Sequence, residues 1–82
     1  MKGEVNSMII DSSLLMKDVW DRIEEEIRRQ NRTKLSVAEQ CNFNRKNLYA
    51  KRNGMFLPYF ARLCVALNVS ADYLLFGEKK EV

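Results

Sequence analysis

The residues best equipped for chemistry in this chain lie in one short segment rich in cationic and amide side chains. Residues 44–49 read Asn-Arg-Lys-Asn-Leu-Tyr, so hydrogen-bonding groups occur at almost every position. Arginine and lysine only donate, and they bind anions strongly, whereas the asparagine amide both donates and accepts. Such a segment is typical of a surface that binds a polar, negatively charged partner.

Positive charge is concentrated around this segment. Residues 33–62 hold six basic residues against one acidic residue, Glu39, for a net charge of +5, whereas the rest of the chain is slightly acidic and the whole carries +3. This distribution favours a surface that binds a polyanion. The alternative is a plain solvated face, which is what a short Arg- and Lys-containing helix forms in most proteins.

Other kinds of site are disfavoured by composition. The chain has no histidine and two distant cysteines, Cys41 and Cys64. A zinc site of Cys/His type cannot be assembled from these, and we expect both cysteines to lie in the core. The sequence offers no glycine-rich phosphate loop and no nucleophile beside a base, so we expect no catalysis, cofactor or metal. The acidic run Glu24–Glu26 is expected to face solvent on a helix.

No stretch of the chain reaches the roughly 20 apolar residues that a membrane span requires. No signal-peptide pattern opens it either. We therefore expect a soluble, cytoplasmic protein.

Apolar spacing predicts helices and gives little sign of strands. The first helix, with Ser12 or Ser13 as its N-cap, is predicted from apolar residues that recur every three or four positions: Met16, Val19, Trp20, Ile23 and Ile27. A second helix is predicted to begin after Thr33 and to end at Asn42, which tolerates positive φ.

Three further helices complete the prediction. Asn44 should cap a third helix from Arg45 to about Arg52, closed by Gly54. Pro58 fits the first turn of a fourth helix. Ser70 should cap a fifth helix over residues 71–76, closed by Gly77. Five helices with short connections predict an all-α, compact five-helix bundle.

The segment from residue 34 to residue 53 has the pattern of two short helices joined by a tight turn. Ala38 is small enough for the two backbones to approach, and Asn42 suits the turn. The apolar residues that would lock the helices together are Val37, Cys41, Phe43 and Leu48. This spacing predicts a helix-turn-helix.

Residues 16–77 resemble the lambda-repressor-like family of phage and bacterial regulators, also called the Xre or Cro/repressor type. The resemblance rests on Val-Ala at 37–38, Asn-Phe-Asn at 42–44, Gly54, and Val-Ser-Ala-Asp-Tyr-Leu-Leu-Phe-Gly at 69–77. It implies the family's five-helix, lambda-repressor-like DNA-binding domain over residues 12–77. Residues 1–11 would be a flexible N-terminal arm and residues 78–82 a charged tail.

Three positions depart from the family pattern. Asn42 stands where glycine is usual, and Lys34 stands where glutamine is common. Lys51 replaces a large apolar residue. Either its aliphatic stem lies along the core with the ammonium group outside, or the third helix is slightly rotated.

The resemblance implies sequence-specific binding of double-stranded DNA by a small, repressor-like transcriptional regulator. Such a protein would be bacterial or phage-encoded, associated with the nucleoid, and homodimeric. A recognition helix at about 45–52 would lie in the major groove. Base-reading residues would be Asn44, Arg45, Lys46, Asn47 and Tyr49. Phosphate-binding residues would be Thr33, Lys34, Lys51, Arg52 and Asn53. Dimer contacts would come from Tyr73, Leu74 and Phe76, although some of these must fill the core.

Two other functions stay open at this point. One is an antitoxin-like protein-interaction module with accessory DNA binding. The other is binding of RNA, which is disfavoured because no sheet is predicted to carry stacking aromatic residues. For Tyr49, the alternative to reading a base is packing against a neighbouring helix.

Overall fold

Five α-helices follow one another in the computed structural model, which describes residues 11–77. They are α1 (Ser12–Arg29), α2 (Lys34–Cys41), α3 (Lys46–Ala50), α4 (Leu57–Leu67) and α5 (Ala71–Phe76). No strand occurs in this part of the chain, so the predicted all-α class is confirmed. The predicted tail and all but the last residue of the predicted arm lie outside the described residues.

The core forms where one face of each helix meets the others. Helix α2 packs against α4, while α5 packs against both α1 and α4. The buried apolar residues are Val19, Trp20, Ile23, Ile27, Val37, Ala38, Cys41, Leu48, Leu63, Leu67 and Leu74. Burying a large aliphatic side chain stabilises a fold by about 1.5–3 kcal/mol, so this shared core holds the short helices together.

Both cysteines are free thiols, Cys41 inside the core and Cys64 at its edge. Burial raises the pKa of each thiol above its ordinary value. The two side chains therefore behave as small apolar groups, as predicted.

Side chains from other parts of the chain satisfy carbonyl groups at the carboxyl ends of three helices. Carbonyl oxygens at the end of a helix lack intrahelical donors and carry partial negative charge, so arginine suits them. In α2, Arg62 donates to Cys41 O at 3.4 Å. In α4, Gln30 donates to Leu67 O at 2.7 Å and Arg32 donates to Ala66 O at 2.9 Å. In α5, Arg22 donates to Leu74 O at 2.9 Å and to Leu75 O at 3.0 Å. These bonds fix the helices relative to one another.

Asn42 ends α2 in the left-handed conformation, with φ 60° and ψ 48°, as predicted. Its N–H bonds to Glu39 O, and the next residue, Phe43, donates to Ala38 O at 3.1 Å. Asn68 ends α4 in the same way, with φ 57°. Asparagine tolerates this region better than residues that carry larger side chains.

Asn42→Ala is therefore expected to lower the free energy of unfolding by about 1 kcal/mol, because alanine lacks the tolerance of asparagine for positive φ. Asn42→Gly should be neutral or slightly stabilising. Urea denaturation followed by circular dichroism measures both changes. Asn53→Ala, at an exposed asparagine outside the positive-φ region, is the matched control. Equal stability of the two alanine variants would contradict the left-handed turn.

Helix α3 is shorter than predicted. It ends at Ala50 because Lys51 takes the left-handed conformation, with φ 51° and ψ 53°. Trp20 Nε1 then donates to Arg52 O at 2.7 Å and ties the chain after the helix to α1. The predicted end at Arg52 is wrong, and so is the predicted cap at Gly54, whose φ is not positive.

Two predictions for α1 are also wrong. The helix begins at Ser12, and Asp11 O accepts from Leu15 N at 3.2 Å, so neither predicted serine is the N-cap. The acidic run does not face solvent as a unit. Glu26 is only 2% exposed and accepts hydrogen bonds from Arg29 and Gln30. It lies three residues after the core residue Ile23 and therefore on the same side of the helix.

Candidate nucleic-acid interface

Helix α2, which precedes the turn to α3, is fixed at its start by local hydrogen bonds. At the start of α2, Thr33 Oγ1 accepts from Ser36 N at 3.0 Å, and Ser36 Oγ accepts from Thr33 N at 3.4 Å. This reciprocal pair is a capping box. On the other side of the turn Leu48 is 2% exposed and anchors α3 in the core. Helix α3 is thus held against the bundle by one face, with its other face outside.

Arg45 and Lys46 occupy the start of α3, and both are exposed. Neither side chain makes a hydrogen bond or an ion pair with any residue between 11 and 77. Asn44 is also exposed, but its Oδ1 accepts from Lys46 N at 2.8 Å. The amide NH2 of Asn44 remains available as a donor. All three side chains are exposed and carry hydrogen-bond donors.

The other two predicted base-reading residues lie differently. Asn47 is partly buried and lines a cavity of about 210 Å³, together with aromatic residues that include Trp20 and Phe56. Tyr49 is 58% exposed, and the ammonium group of Lys34 lies 4.6 Å from its ring centroid. Tyr49 therefore contacts a neighbouring helix while remaining accessible, and four of the five predicted base-reading residues are exposed.

The predicted phosphate-binding lysines are paired within the chain. Lys34 Nζ and Lys51 Nζ each lie 2.7 Å from Glu24 Oε2. Partial burial raises the pKa of Glu24, but the hydrogen bonds and charges of the two lysines outweigh it, so that the pKa lies below its ordinary value. Glu24 is therefore ionised at neutral pH. We call these three residues the Lys-Glu-Lys cluster.

The other predicted phosphate-binding residues are exposed. Arg52 and Asn53 follow α3, and Thr33 precedes α2. The Thr33 hydroxyl oxygen is occupied by the capping bond, which leaves its hydrogen free to donate. Together with the cluster, these residues place hydrogen-bond donors at the start of α2 and directly after α3.

Glu24 belongs to this candidate site although the sequence does not predict it there. The acidic run is expected to face solvent, yet only 21% of the Glu24 side chain is exposed. A signal was present, because Glu24 lies four residues after Trp20 and three before Ile27, on the edge of the buried stripe. A carboxylate there meets whatever packs beside α1, and here that is a pair of lysines.

The predicted dimer residues separate into core and surface. Leu74 has no exposed side-chain surface, so it belongs to the core and the prediction of a dimer contact is wrong for this residue. Tyr73 is partly buried against the core. Phe76 is 63% exposed. Phe76 is therefore the clearest surface residue of the three.

Within residues 11–77, no helix has the length and apolar character to cross a membrane. Among the same residues, no three cysteine, aspartate or glutamate side chains lie close enough together to hold a metal ion.

Comparison with protein families, curated proteins and solved structures found no match for this chain. The predicted membership of the lambda-repressor-like family stays a prediction.

Proposed function

We propose that this chain is a sequence-specific DNA-binding domain of the lambda-repressor-like type, acting as a small transcriptional repressor. The observation that carries the proposal is the exposure of Arg45 and Lys46 at the start of α3, without partners among the described residues. Cationic side chains left unpaired on a short helix that projects from the core are well placed to enter a major groove.

Arg45 is the best candidate for reading a base. Its guanidinium group can donate two bonds to O6 and N7 of guanine, the most common specific contact in protein–DNA complexes. The free amide NH2 of Asn44 can donate to a base acceptor nearby. Lys46 supplies a third donor. Tyr49, which lies beside Lys34, belongs at the edge of this surface.

Phosphate contacts would come from exposed residues before α2 and after α3. Thr33 precedes α2, Arg52 and Asn53 follow α3, and all three are exposed donors. Such contacts fix the position of a domain on the duplex without reading its sequence. Lys34 and Lys51 would also contact phosphates once their ion pairs with Glu24 are broken.

A single domain of this size touches few bases, so we propose that it binds as a homodimer on a symmetric site. Phe76, exposed at the end of α5, supports a contact there. Leu74 would contribute to a dimer contact only indirectly, because it anchors α5 in the core.

The proposal is tested by titrating a labelled random-sequence duplex at several salt concentrations. We expect affinity to fall with salt, with a slope of log K against log salt of about −2 to −4 for each protomer, since a few cations neutralise phosphates. Selection of bound duplexes from a random pool should then return a symmetric consensus. Binding that is absent at low salt would contradict the proposal.

A protein-interaction module with accessory DNA binding is the second candidate. The observation that favours it is the exposure of large apolar side chains, with Phe56 at 65%, Leu57 at 72% and Val65 at 79%. Phe56 and Leu57 are neighbours at the start of α4, and contiguous exposed apolar surface commonly marks protein contacts. Under this alternative, selection would return no consensus and Arg45→Ala would weaken all duplexes equally.

A further inference from the structure

The Lys-Glu-Lys cluster brings two ammonium groups onto one carboxylate oxygen. Lys34 Nζ and Lys51 Nζ both lie 2.7 Å from Glu24 Oε2. The three charges leave a net charge of +1, and the repulsion between the two lysines is only partly offset. Such an arrangement is an anion site that already holds an anion.

The cluster joins three parts of the fold that are separate in the sequence. Glu24 lies in the middle of α1, Lys34 opens α2, and Lys51 directly follows α3. The side chains are 21%, 24% and 42% exposed, respectively, so solvent and a ligand can reach them. Displacing the carboxylate therefore requires only side-chain rotation, with the helices in place.

We propose that this cluster is a binding site for a backbone phosphate diester, in which Glu24 is the competing anion that the duplex must displace. The inference rests on the proposed DNA binding. A phosphate oxygen accepts from ammonium groups at the same distances as a carboxylate oxygen does. A phosphate placed at Oε2 would therefore receive both lysines at once.

Displacement of Glu24 has a limited cost. Pairs that are partly open to water are individually weak. Lys34 would also keep a second contact, since the Tyr49 ring 4.6 Å from its ammonium group does not depend on Glu24. The carboxylate therefore weakens DNA binding without abolishing it.

Glu24→Gln removes the competing charge and keeps the shape of the side chain. We expect it to tighten binding to a labelled random duplex by about threefold to tenfold at low salt, and to steepen the salt slope by about one. Glu25→Gln is the matched control, because Glu25 is the neighbouring residue, is exposed, and pairs with Arg28 instead. The control should change affinity by less than about twofold, since it removes a solvent-screened charge outside the Lys-Glu-Lys cluster.

A second variant tests the mechanism within the cluster. Lys51→Met removes one of the two ammonium groups, so the gain from Glu24→Gln should shrink when both changes are combined. Urea denaturation of each variant shows whether the fold is kept. Full retention of the gain in the double variant would overturn the two-lysine site.

The outcomes separate this inference from the proposed function. If the unaltered protein binds duplex but Glu24→Gln binds no better than Glu25→Gln, the inference is overturned and the proposed function stands. If neither the unaltered protein nor Glu24→Gln binds duplex, both are overturned.

Discussion

Arg45→Ala is expected to weaken binding to the selected duplex by about 1–3 kcal/mol while leaving random duplex almost unaffected. The reason is that Arg45 is exposed at the start of α3 and makes no hydrogen bond or ion pair with residues 11–77. Its loss should remove a base contact and leave the fold unchanged. Parallel titrations of the selected and the random duplex, at one salt concentration, measure the difference.

Arg28→Ala controls for the loss of one positive charge, since Arg28 is an exposed arginine of α1 that pairs with Glu25. It should shift the affinities of the two duplexes by the same small amount. Should Arg45→Ala weaken both duplexes equally, Arg45 would be a phosphate contact, and base reading would have to come from its neighbours.

Leu74→Ala is expected to lower the free energy of unfolding by about 2–5 kcal/mol, because it leaves a cavity in a tightly packed core. Leu74 has no exposed surface and holds α5 against the bundle. Domains of this size have total stabilities of only about 5–15 kcal/mol, so the variant should be partly unfolded at moderate urea concentrations. The shift in the urea midpoint measures the loss.

Phe76→Ala is the matched variant on the same helix, two residues away and 63% exposed. It should change the free energy of unfolding by less than about 0.5 kcal/mol, as surface substitutions usually do. Analytical ultracentrifugation of Phe76→Ala also tests the proposed dimer contact. A Leu74→Ala protein with unchanged stability but altered association would show that Leu74 lies on the surface.

The fold was largely predictable because local signals and apolar spacing agreed. The stripe along α1, the Thr33 and Ser70 caps, and the left-handed Asn42 each act within a few residues of the chain. Such interactions can be predicted from a single sequence, since the spacing of the residues determines which side chains are in contact.

The end of α3 was not predictable in the same way. Gly54 is the expected helix terminator by local rules, but Lys51 turns the chain first. The bond from Trp20 to Arg52 O and the pairing of Lys51 with Glu24 both reach α1, which lies far away in sequence. Contacts between distant elements overrode the local preference.

The candidate site was predicted in part for the same reason. Exposure of Arg45 and Lys46 follows from Leu48 facing inward, which periodicity reveals. The pairing of Lys34 and Lys51 with Glu24 depends on how α1 packs beside α2, which no local pattern specifies. Residue type alone predicts that these two lysines are available to bind phosphate, because it does not show their ion pairs with Glu24.

Trp20 gives this chain an intrinsic fluorescence signal from one known position. It is the single tryptophan of the sequence, it is 4% exposed, and its indole N–H is bonded to the carbonyl oxygen of Arg52. All indole emission therefore originates beside the segment that follows α3. Any ligand that shifts this segment will alter the emission of the unlabelled protein, so that the fold carries its own fluorescent reporter next to the surface of interest.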